Sequence, residues 1–319
     1  MESTARNKVL EHVPCVLCGA DDYEVVHAAR YDCEKNVDHA ERFRASGAEL
    51  LIDQLVRCHH CAFQYVNPRL RGDLILSGYT EGEDPAYVSQ LKARERTFAA
   101  SLKEIERAAG GKGRLLDIGT AAGAFVAAAR NRGWQAEGCE LNRWLAQWGA
   151  RHYGIDIREG SLFDQNYEEG SFDVVTLWDV IEHTPDPRAV LERCRALLKP
   201  GGILVVNYPD IGSWIARLLG RRWLFLTSVH LYYFERRTIR LMLEKTGYRV
   251  ETVRPHIQRL ELDYILFRTS MLSSALSSAS RALVRPFGLA RAHVPYWLGQ
   301  TFVLGRKTGG LLAFVGVEL

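Results

Sequence analysis

The sequence predicts an α/β protein built on a doubly wound, mostly parallel sheet, with a small metal-held module ahead of the sheet and a helical insertion before its last strand. Three observations carry that reading. Two Cys-x-x-Cys pairs, Cys15/Cys18 and Cys58/Cys61, stand in the first 75 residues. A short apolar segment over 113–118 is broken by Gly119 and runs into a small-residue helix over 122–132. Beyond it, strand-like and helix-like segments alternate, the pattern of successive β-α units with a ligand site beyond the strand carboxyl ends.

Composition narrows the class. The chain has 319 residues, 47% hydrophobic and 25% charged, as in ordinary globular proteins. That length accommodates a small module plus a medium-sized domain. Forty-one basic against 38 acidic residues leave a net charge of +3, too balanced to indicate a nucleic-acid binder on charge alone. Met1–Lys8 contains no apolar stretch of signal-peptide type, and no run approaches the roughly 18 apolar residues of a membrane span. Seven cysteines, four of them in close pairs, suit a reducing compartment and a metal site better than a disulfide framework. The expected location is the cytoplasm.

The two pairs read as metal knuckles. A two-residue gap lets both thiolates of one turn face one ion, and two such turns close a tetrahedron around zinc. Gly19 follows the first pair, where the turn calls for a positive φ that glycine adopts without a Cβ penalty; Ala62 stands at the matching place in the second. Thirty-nine residues separate the pairs, and among them 23–29 reads as a strand and 48–57 as a strand or short helix. Neither pair opens a helix after a strand, which argues against a redox motif. His59 and His60 are alternative ligands, while Cys33, Cys139 and Cys194 are isolated and read as structural. The module is expected over 1–75. A helical linker follows over 76–112, with one helix over 88–109 that carries Lys92, Arg94, Glu95 and Arg96 on its outer face. The main domain is expected over 113–319.

Within that domain, strands are expected at 113–118, 135–140, 155–159, 172–178, 202–208 and 248–254, and helices at 122–132, 143–153, 187–198 and 236–246. The first turn discriminates between ligands. A dinucleotide fingerprint falls on Gly119, Ala121 and Ala124, so the middle glycine that lets a pyrophosphate approach the backbone is missing. Gly123 instead closes a G-x-x-x-G spacing behind Asp117. Glu140, ending the second strand, is placed to accept hydrogen bonds from both hydroxyls of a ribose.

In order, Asp117-x-Gly119-x-x-x-Gly123, Gly138-Cys139-Glu140, the segment Phe172–His183 and Leu198-Lys-Pro-Gly-Gly202 resemble the successive motifs of class I S-adenosylmethionine-dependent methyltransferases, over about 115–208. The knuckles, Val66-Asn67-Pro68-Arg69 and His230-Leu-Tyr-Tyr-Phe234 resemble those members that carry an N-terminal zinc-binding domain, of which the sugar C-methyltransferases are best known. The resemblance implies a Rossmann-like methyltransferase sheet, S-adenosylmethionine as cofactor, and a structural zinc on Cys15, Cys18, Cys58 and Cys61. It implies that Gly119 and Gly123 pass close to the methionine part of the cofactor and that Asp117 organises the turn and helps hold the amino group. Glu140, with Leu141 beside it, would bind ribose. Ser161 and Leu162 would border adenine, with Asp164 as a substitute for the aspartate that many relatives have at position 161. Trp178 and Asp179 would lie beside the methionine end.

Two insertions, about 209–234 and 258–298, are expected to shape the acceptor site. The first holds an aromatic, amphipathic stretch over 214–223 and then His230, the expected general base: a near-neutral imidazole takes a proton from a hydroxyl or carbon acid as the methyl transfers. An ordinary hydrogen-bonded histidine at a helix start is the plain alternative. Tyr79, Tyr87 and Tyr208 are expected to touch substrate, against simple packing. Glu182 and His183 are expected to cap the loop after the fourth strand, and His256 and His293 receive no role. The second insertion is expected to form a helix over 260–289 before a final antiparallel strand over 299–307. Its amphipathic, cationic 270–289 segment suggests a homodimer surface or a lipid-linked acceptor.

The function expected is methyl transfer from S-adenosylmethionine to a small-molecule acceptor, a sugar or sugar nucleotide methylated at carbon or oxygen, with placement supplying much of the acceleration. No DNA or RNA partner is expected. The alternatives are an RNA methyltransferase whose zinc module docks RNA, and a non-catalytic cofactor-binding subunit.

Overall fold

The computed structural model describes residues 9–30, 50–80, 82–271 and 273–309. Cys33 lies outside them. The N-terminal module contains β1 (Leu10–Glu11), β2 (Tyr23–His27), β3 (Leu55–Cys58), β4 (Gln64–Val66) and β5 (Arg69–Leu70). β2, β3 and β4 form an antiparallel meander, and β1 pairs with β5. The outer edge of β4 is covered by Tyr232–Tyr233 from the first insertion of the main domain, which protects an edge that would otherwise stand open to other strands. Phe63 stacks on Tyr232 with ring centres 5.8 Å apart, and Arg69 Nη1 donates to Tyr232 Oη at 2.6 Å. The module expected over 1–75 is therefore not self-contained; its sheet is finished by chain from residue 232.

The linker folds as α1 (Gly72–Thr80), α2 (Pro85–Val88) and α3 (Leu91–Ala109). The single helix expected over 88–109 is found as α3 and begins at Leu91, because Asp84 caps a short turn ahead of it, accepting from Tyr87 N at 2.9 Å with Pro85 in the first turn. α3 ends at Gly110, whose φ of 70° is a left-handed C-cap. Leu91, Phe98, Leu102 and Ile105 form its buried stripe.

The main domain runs β6 (Arg114–Ile118), α4 (Ala124–Asn131), β7 (Gln135–Glu140), α5 (Arg143–Tyr153), β8 (Ile157–Glu159), β9 (Phe172–Trp178), α6 (Pro187–Leu197), β10 (Leu198–Pro209), α7 (Trp214–Leu219), β11 (Tyr232–Tyr233), α8 (Arg236–Lys245) and β12 (Tyr248–Pro255). It continues with β13 (Gln258–Glu261), α9 (Leu262–Arg268), α10 (Ser274–Val284), β14 (His293–Tyr296) and β15 (Gln300–Lys307). The seven-stranded sheet has the order β12-β15-β10-β9-β6-β7-β8. β10, β9, β6, β7 and β8 are parallel, and β15 lies antiparallel between β10 and β12. Central strands such as β9 are apolar on both faces, as a helix-covered parallel sheet requires. The strand order reverses between β6 and β9, and ligand crevices of doubly wound sheets form at such a switch point.

The helix expected over 260–289 is two helices set between the paired strands β13 and β14. Ser273 caps α10 by accepting from Leu276 N at 3.3 Å, and Arg281 holds Asp263 of α9 with two hydrogen bonds of 2.9 and 2.8 Å. Among the described residues, no helix is long and apolar enough to cross a membrane.

Candidate active site and thiol cluster

A cavity of about 680 Å³ opens at the switch point, beyond the carboxyl ends of β6, β7, β9 and β10. α1–α3 close one side of it, and the two insertions close the other. A smaller hollow, lined by Arg114, Arg130, Glu137 and Arg158, sits away from these strand ends and gathers none of the motif residues.

The turn from β6 into α4 forms the cavity floor. Gly119 has φ 64°, and a Cβ there would lie 2.7 Å from Val180 Cγ2, so both backbone and space demand glycine. Ala121 has φ 49°, a left-handed conformation that costs a residue with a Cβ about 1 kcal/mol. Glu140 secures it: Ala121 N donates to Oε2 at 2.6 Å and Asn142 N to Oε1 at 2.8 Å. Burial raises the Glu140 carboxyl, and these amides oppose the rise. A carboxylate oxygen accepts more than one donor, so Glu140 can still receive hydroxyls from the cavity it lines.

Asp117 and Gly123 are not on the cavity wall. Asp117 Oδ1 accepts from Thr176 Oγ1 at 2.6 Å, and burial pushes its carboxyl up to about 7. It braces the turn from beneath. At Gly123, φ is 73° and a Cβ would lie 2.7 Å from both Ile155 Cδ1 and Ile157 Cδ1, so packing, not ligand approach, requires the glycine. Leu141, Ser161 and Leu162 do line the cavity, joined by Asn142 and Phe163. Asp164 is committed elsewhere, accepting from Ser161 N at 2.8 Å and Ser161 Oγ at 2.7 Å in a capping box.

Trp178 and Asp179 lie on the wall. Asp179 holds a φ of 54°, the kind of local strain that collects at functional sites. Asn207 Nδ2 donates to its Oδ1 at 2.5 Å, and Asn207 Oδ1 accepts in turn from His256 Nδ1 at 2.7 Å. Burial pushes Asp179 up to about 6 and His256 down to about 3. His256, expected to have no role, thus belongs to a buried chain of partners that fixes Asp179 and continues from its Nε2 to Ser101 Oγ at 3.3 Å.

Of the three tyrosines, Tyr79 and Tyr87 line the cavity and Tyr208 does not. Asn207 and Pro209 face the cavity, and side chains alternate across a strand, so Tyr208 points to the other face of β10. There it is fully buried with its ring 5.8 Å from Phe234. Tyr79 Oη lies 2.7 Å from His183 Nδ1. The Tyr87 ring is covered by the Arg94 guanidinium at 4.4 Å. Arg94, expected on the outer face of its helix, instead lines the cavity with a buried Nε that has no hydrogen-bond partner.

His230 lines the same cavity. Its Nδ1 donates to Phe225 O at 2.8 Å, and burial drives the imidazole well below its ordinary pKa, keeping it neutral. Its ring lies 4.6 Å from that of His183, which burial lowers to about 4. Glu182, 1% exposed, has a carboxylate without a hydrogen-bond partner. Only its main-chain carbonyl serves the loop, accepting from Leu231 N at 2.8 Å. The side chains of Glu182 and His183 are cavity residues, beyond the capping expected of them.

In the module, Cys15 Sγ lies 3.5 Å from Cys61 Sγ and Cys18 Sγ 3.5 Å from Cys58 Sγ, and all four sulfurs fall within 4.8 Å of one another. None of the four is in a disulfide. Bonds of roughly 2.3 Å from a tetrahedral zinc place sulfurs roughly 3.8 Å apart, so the set fits that ion. The two knuckles are the same turn: Gly19 N donates to Cys15 O at 2.7 Å and Ala62 N to Cys58 O at 2.9 Å, with φ 80° at Gly19 and 61° at Ala62. His59 and His60 turn outward toward Asp22, at 3.9 and 3.8 Å, and are not part of the set.

A parallel sheet with a glycine turn after its first strand, an acid ending its second and a cavity at the switch point define a nucleotide-binding α/β enzyme domain. A family model described as a methyltransferase domain matches residues 90–253, half of the chain, and the chain belongs to that family. It is similar to the ubiquinone biosynthesis O-methyltransferase of Xanthomonas campestris pv. campestris (strain B100), 36% identical over 100 residues that cover 30% of this chain and 42% of that protein. The protein of the same name from Xanthomonas oryzae pv. oryzae (strain PXO99A) is 35% identical over 125 residues, covering 34% of this chain and 52% of the relative. The chain thus spans about half the length of these curated relatives or less. Among solved structures, a SAM-dependent methyltransferase from Archaeoglobus fulgidus is similar over 70% of this chain and 100% of its own, at 15% identity and a TM-score of 0.49. A possible histamine N-methyltransferase from Thermotoga maritima covers 68% and 91%, at 17% identity and 0.46.

Proposed function

We propose that the protein transfers the methyl group of S-adenosylmethionine to a hydroxyl of a small-molecule acceptor held in the switch-point cavity. The observation that carries this reading is that one cavity is lined both by Glu140, at the end of β7, and by the imidazoles of His183 and His230. When bound, the cofactor supplies an electrophilic methyl on a sulfonium. Glu140 would take its ribose hydroxyls, with Leu141, Ser161, Leu162 and Phe163 beside the adenine. Gly119, Trp178 and Asp179 would flank the methionine part, and Arg94, whose Nε has no hydrogen-bond partner among the described residues, would meet its carboxylate. The acceptor hydroxyl must shed a proton as the new bond forms, and the free Nε2 of His230 is suited to receive it. Tyr79 and Tyr87 would flank the acceptor, and the four thiols would hold a structural zinc apart from the reaction.

Leu219, Leu224, Phe225, Ile265 and Leu298, all from the two insertions, line the cavity, which favours an acceptor with an apolar or aromatic body, such as a phenol. The relatives named for ubiquinone biosynthesis agree with that choice. A second reading, a sugar nucleotide, is favoured by Arg259 and Arg268 on the same wall, where a diphosphate would find cations. Formation of S-adenosylhomocysteine with a panel of phenols and deoxysugar nucleotides separates the two. His230→Ala is expected to lower turnover about 100-fold or more while leaving cofactor affinity intact; unchanged turnover would remove His230 from the role.

A further inference from the structure

Three side chains at the acceptor end share a property that proton transfer alone does not explain. Glu182 is sealed from solvent, and neither of its carboxylate oxygens has a hydrogen-bond partner among the described residues, although a buried carboxylate is costly unless paired or bound to a metal. Two imidazoles adjoin it. His183 Nε2 lies 4.0 Å from Glu182 Oε1, and one donor atom from each of Glu182, His183 and His230 falls within 4.8 Å of the others. Both imidazoles point Nδ1 at a main-chain carbonyl, Val229 O at 3.0 Å and Phe225 O at 2.8 Å. A carbonyl only accepts, so the proton sits on Nδ1 and Nε2 keeps its lone pair. Metal-ligating histidines are held in just this way, their second nitrogen donating to a carbonyl or carboxylate. The Tyr79 hydroxyl oxygen, 2.7 Å from His183 Nδ1, accepts from the same N–H while its own O–H donates to Val229 O at 3.4 Å.

We propose that Glu182, His183 and His230 form a site for one divalent transition-metal cation whose open coordination positions face the acceptor. Two imidazole nitrogens and one carboxylate suit zinc, manganese, iron or cobalt better than calcium or magnesium, which prefer all-oxygen shells. Donors around a tetrahedral ion with bonds of roughly 2.1 Å stand roughly 3.4 Å apart. The three groups therefore need to draw in by about 1 Å, within reach of side-chain rotation. The cation supplies the positive charge that Glu182 lacks, and it competes with a proton for the Nε2 lone pairs. The role of the site rests on the methyl-transfer reading: with the cation bound, His230 Nε2 is a ligand and not the base, and the ion would instead take an oxygen of the acceptor and lower the pKa of its hydroxyl. Four thiolates close a coordination sphere, whereas three nitrogen and oxygen donors leave one open.

The test uses the full chain with its thiol site filled by zinc, titrated with cobalt(II) and followed by equilibrium dialysis and visible absorption. One further equivalent is expected, with the weak bands of nitrogen and oxygen ligation and without thiolate-to-cobalt charge transfer. Glu182→Gln and His230→Asn should each weaken cobalt binding by about tenfold or more. Circular dichroism melting should show Glu182→Gln folding as stably as the parent, because it removes a buried unpartnered carboxylate. Should that variant fail to fold, His230→Asn carries the test alone. No second equivalent at millimolar cobalt, or equal affinity in the folded variants, overturns the proposal. Cobalt binding is read without S-adenosylmethionine, so its failure leaves the methyl-transfer reading standing, and failure of cofactor binding leaves the cation site standing.

Discussion

The thiol cluster of the N-terminal module and the Glu182–His183–His230 cluster are both assembled from segments distant in the chain, yet they sit in opposite settings. The four sulfurs are enclosed by Phe63, Tyr65 and the meander, and none of them lines the cavity. The three nitrogen and oxygen donors lie on the cavity wall. On the proposed reading, ligand type and exposure divide labour: soft, closed and stabilising in one place, harder and open to a small molecule in the other.

The largest expected effect is on the closed side. Cys15→Ser should remove bound zinc and destabilise the protein by about 5 kcal/mol, part of the roughly 10–16 kcal/mol that structural zinc supplies to small domains. Metal analysis together with denaturant unfolding checks it. Unchanged stability would break the distinction between a structural and a reactive cluster.

The open side answers to pH. The pKa of His256 falls to about 3 on folding from an ordinary 6.5. Between those values the unfolded chain takes up a proton that the folded chain refuses, so the stability His256 contributes is present above pH 6.5 and is lost as pH falls. Asp117 and Asp179 are pushed up and act in the opposite sense, but they are present in both proteins when parent and variant are compared. The stability gap between parent and His256→Gln should narrow by roughly 2.5 kcal/mol from pH 7 to pH 4.5, as read by urea unfolding at each pH. A constant gap would contradict the buried neutral imidazole.

The smallest effects test the two strained alanines, one in each region. Ala62→Gly and Ala121→Gly should each stabilise by up to about 1 kcal/mol, since glycine adopts the left-handed conformation that these positions hold. A loss of stability at either would mean that the Cβ contact outweighs the backbone strain.

Much of this was legible in the sequence because the signals are local. The Cys pairs announce themselves by spacing, and the strand and helix periods placed β6 through β10 within a few residues. The failures have specific physical causes. Tyr208 was misplaced because a strand side chain one position off faces the opposite side of the sheet. Arg94 reads as a solvent-facing charge in a helix of mixed polarity, and only the tertiary position of α3 turns it to the cavity. Gly123 and Asp117 sit in motif positions, but packing on Ile155 and Ile157 and the bond from Thr176 account for them without a ligand. His230 was visible singly, yet its meeting with Glu182 and His183 depends on how the first insertion returns over the cavity. Likewise the strand that completes the N-terminal sheet comes from residues 232–233, a pairing that no local pattern encodes.

The central claim is that the switch-point cavity holds S-adenosylmethionine through Glu140. Isothermal titration of S-adenosylhomocysteine into the parent protein and Glu140→Ala tests it most directly. One site per chain is predicted for the parent, with affinity about 100-fold weaker in the variant, the loss of about 2–3 kcal/mol expected when charge-assisted hydrogen bonds to two hydroxyls are removed. Absence of binding to the parent, or equal affinity in the two proteins, would contradict the account.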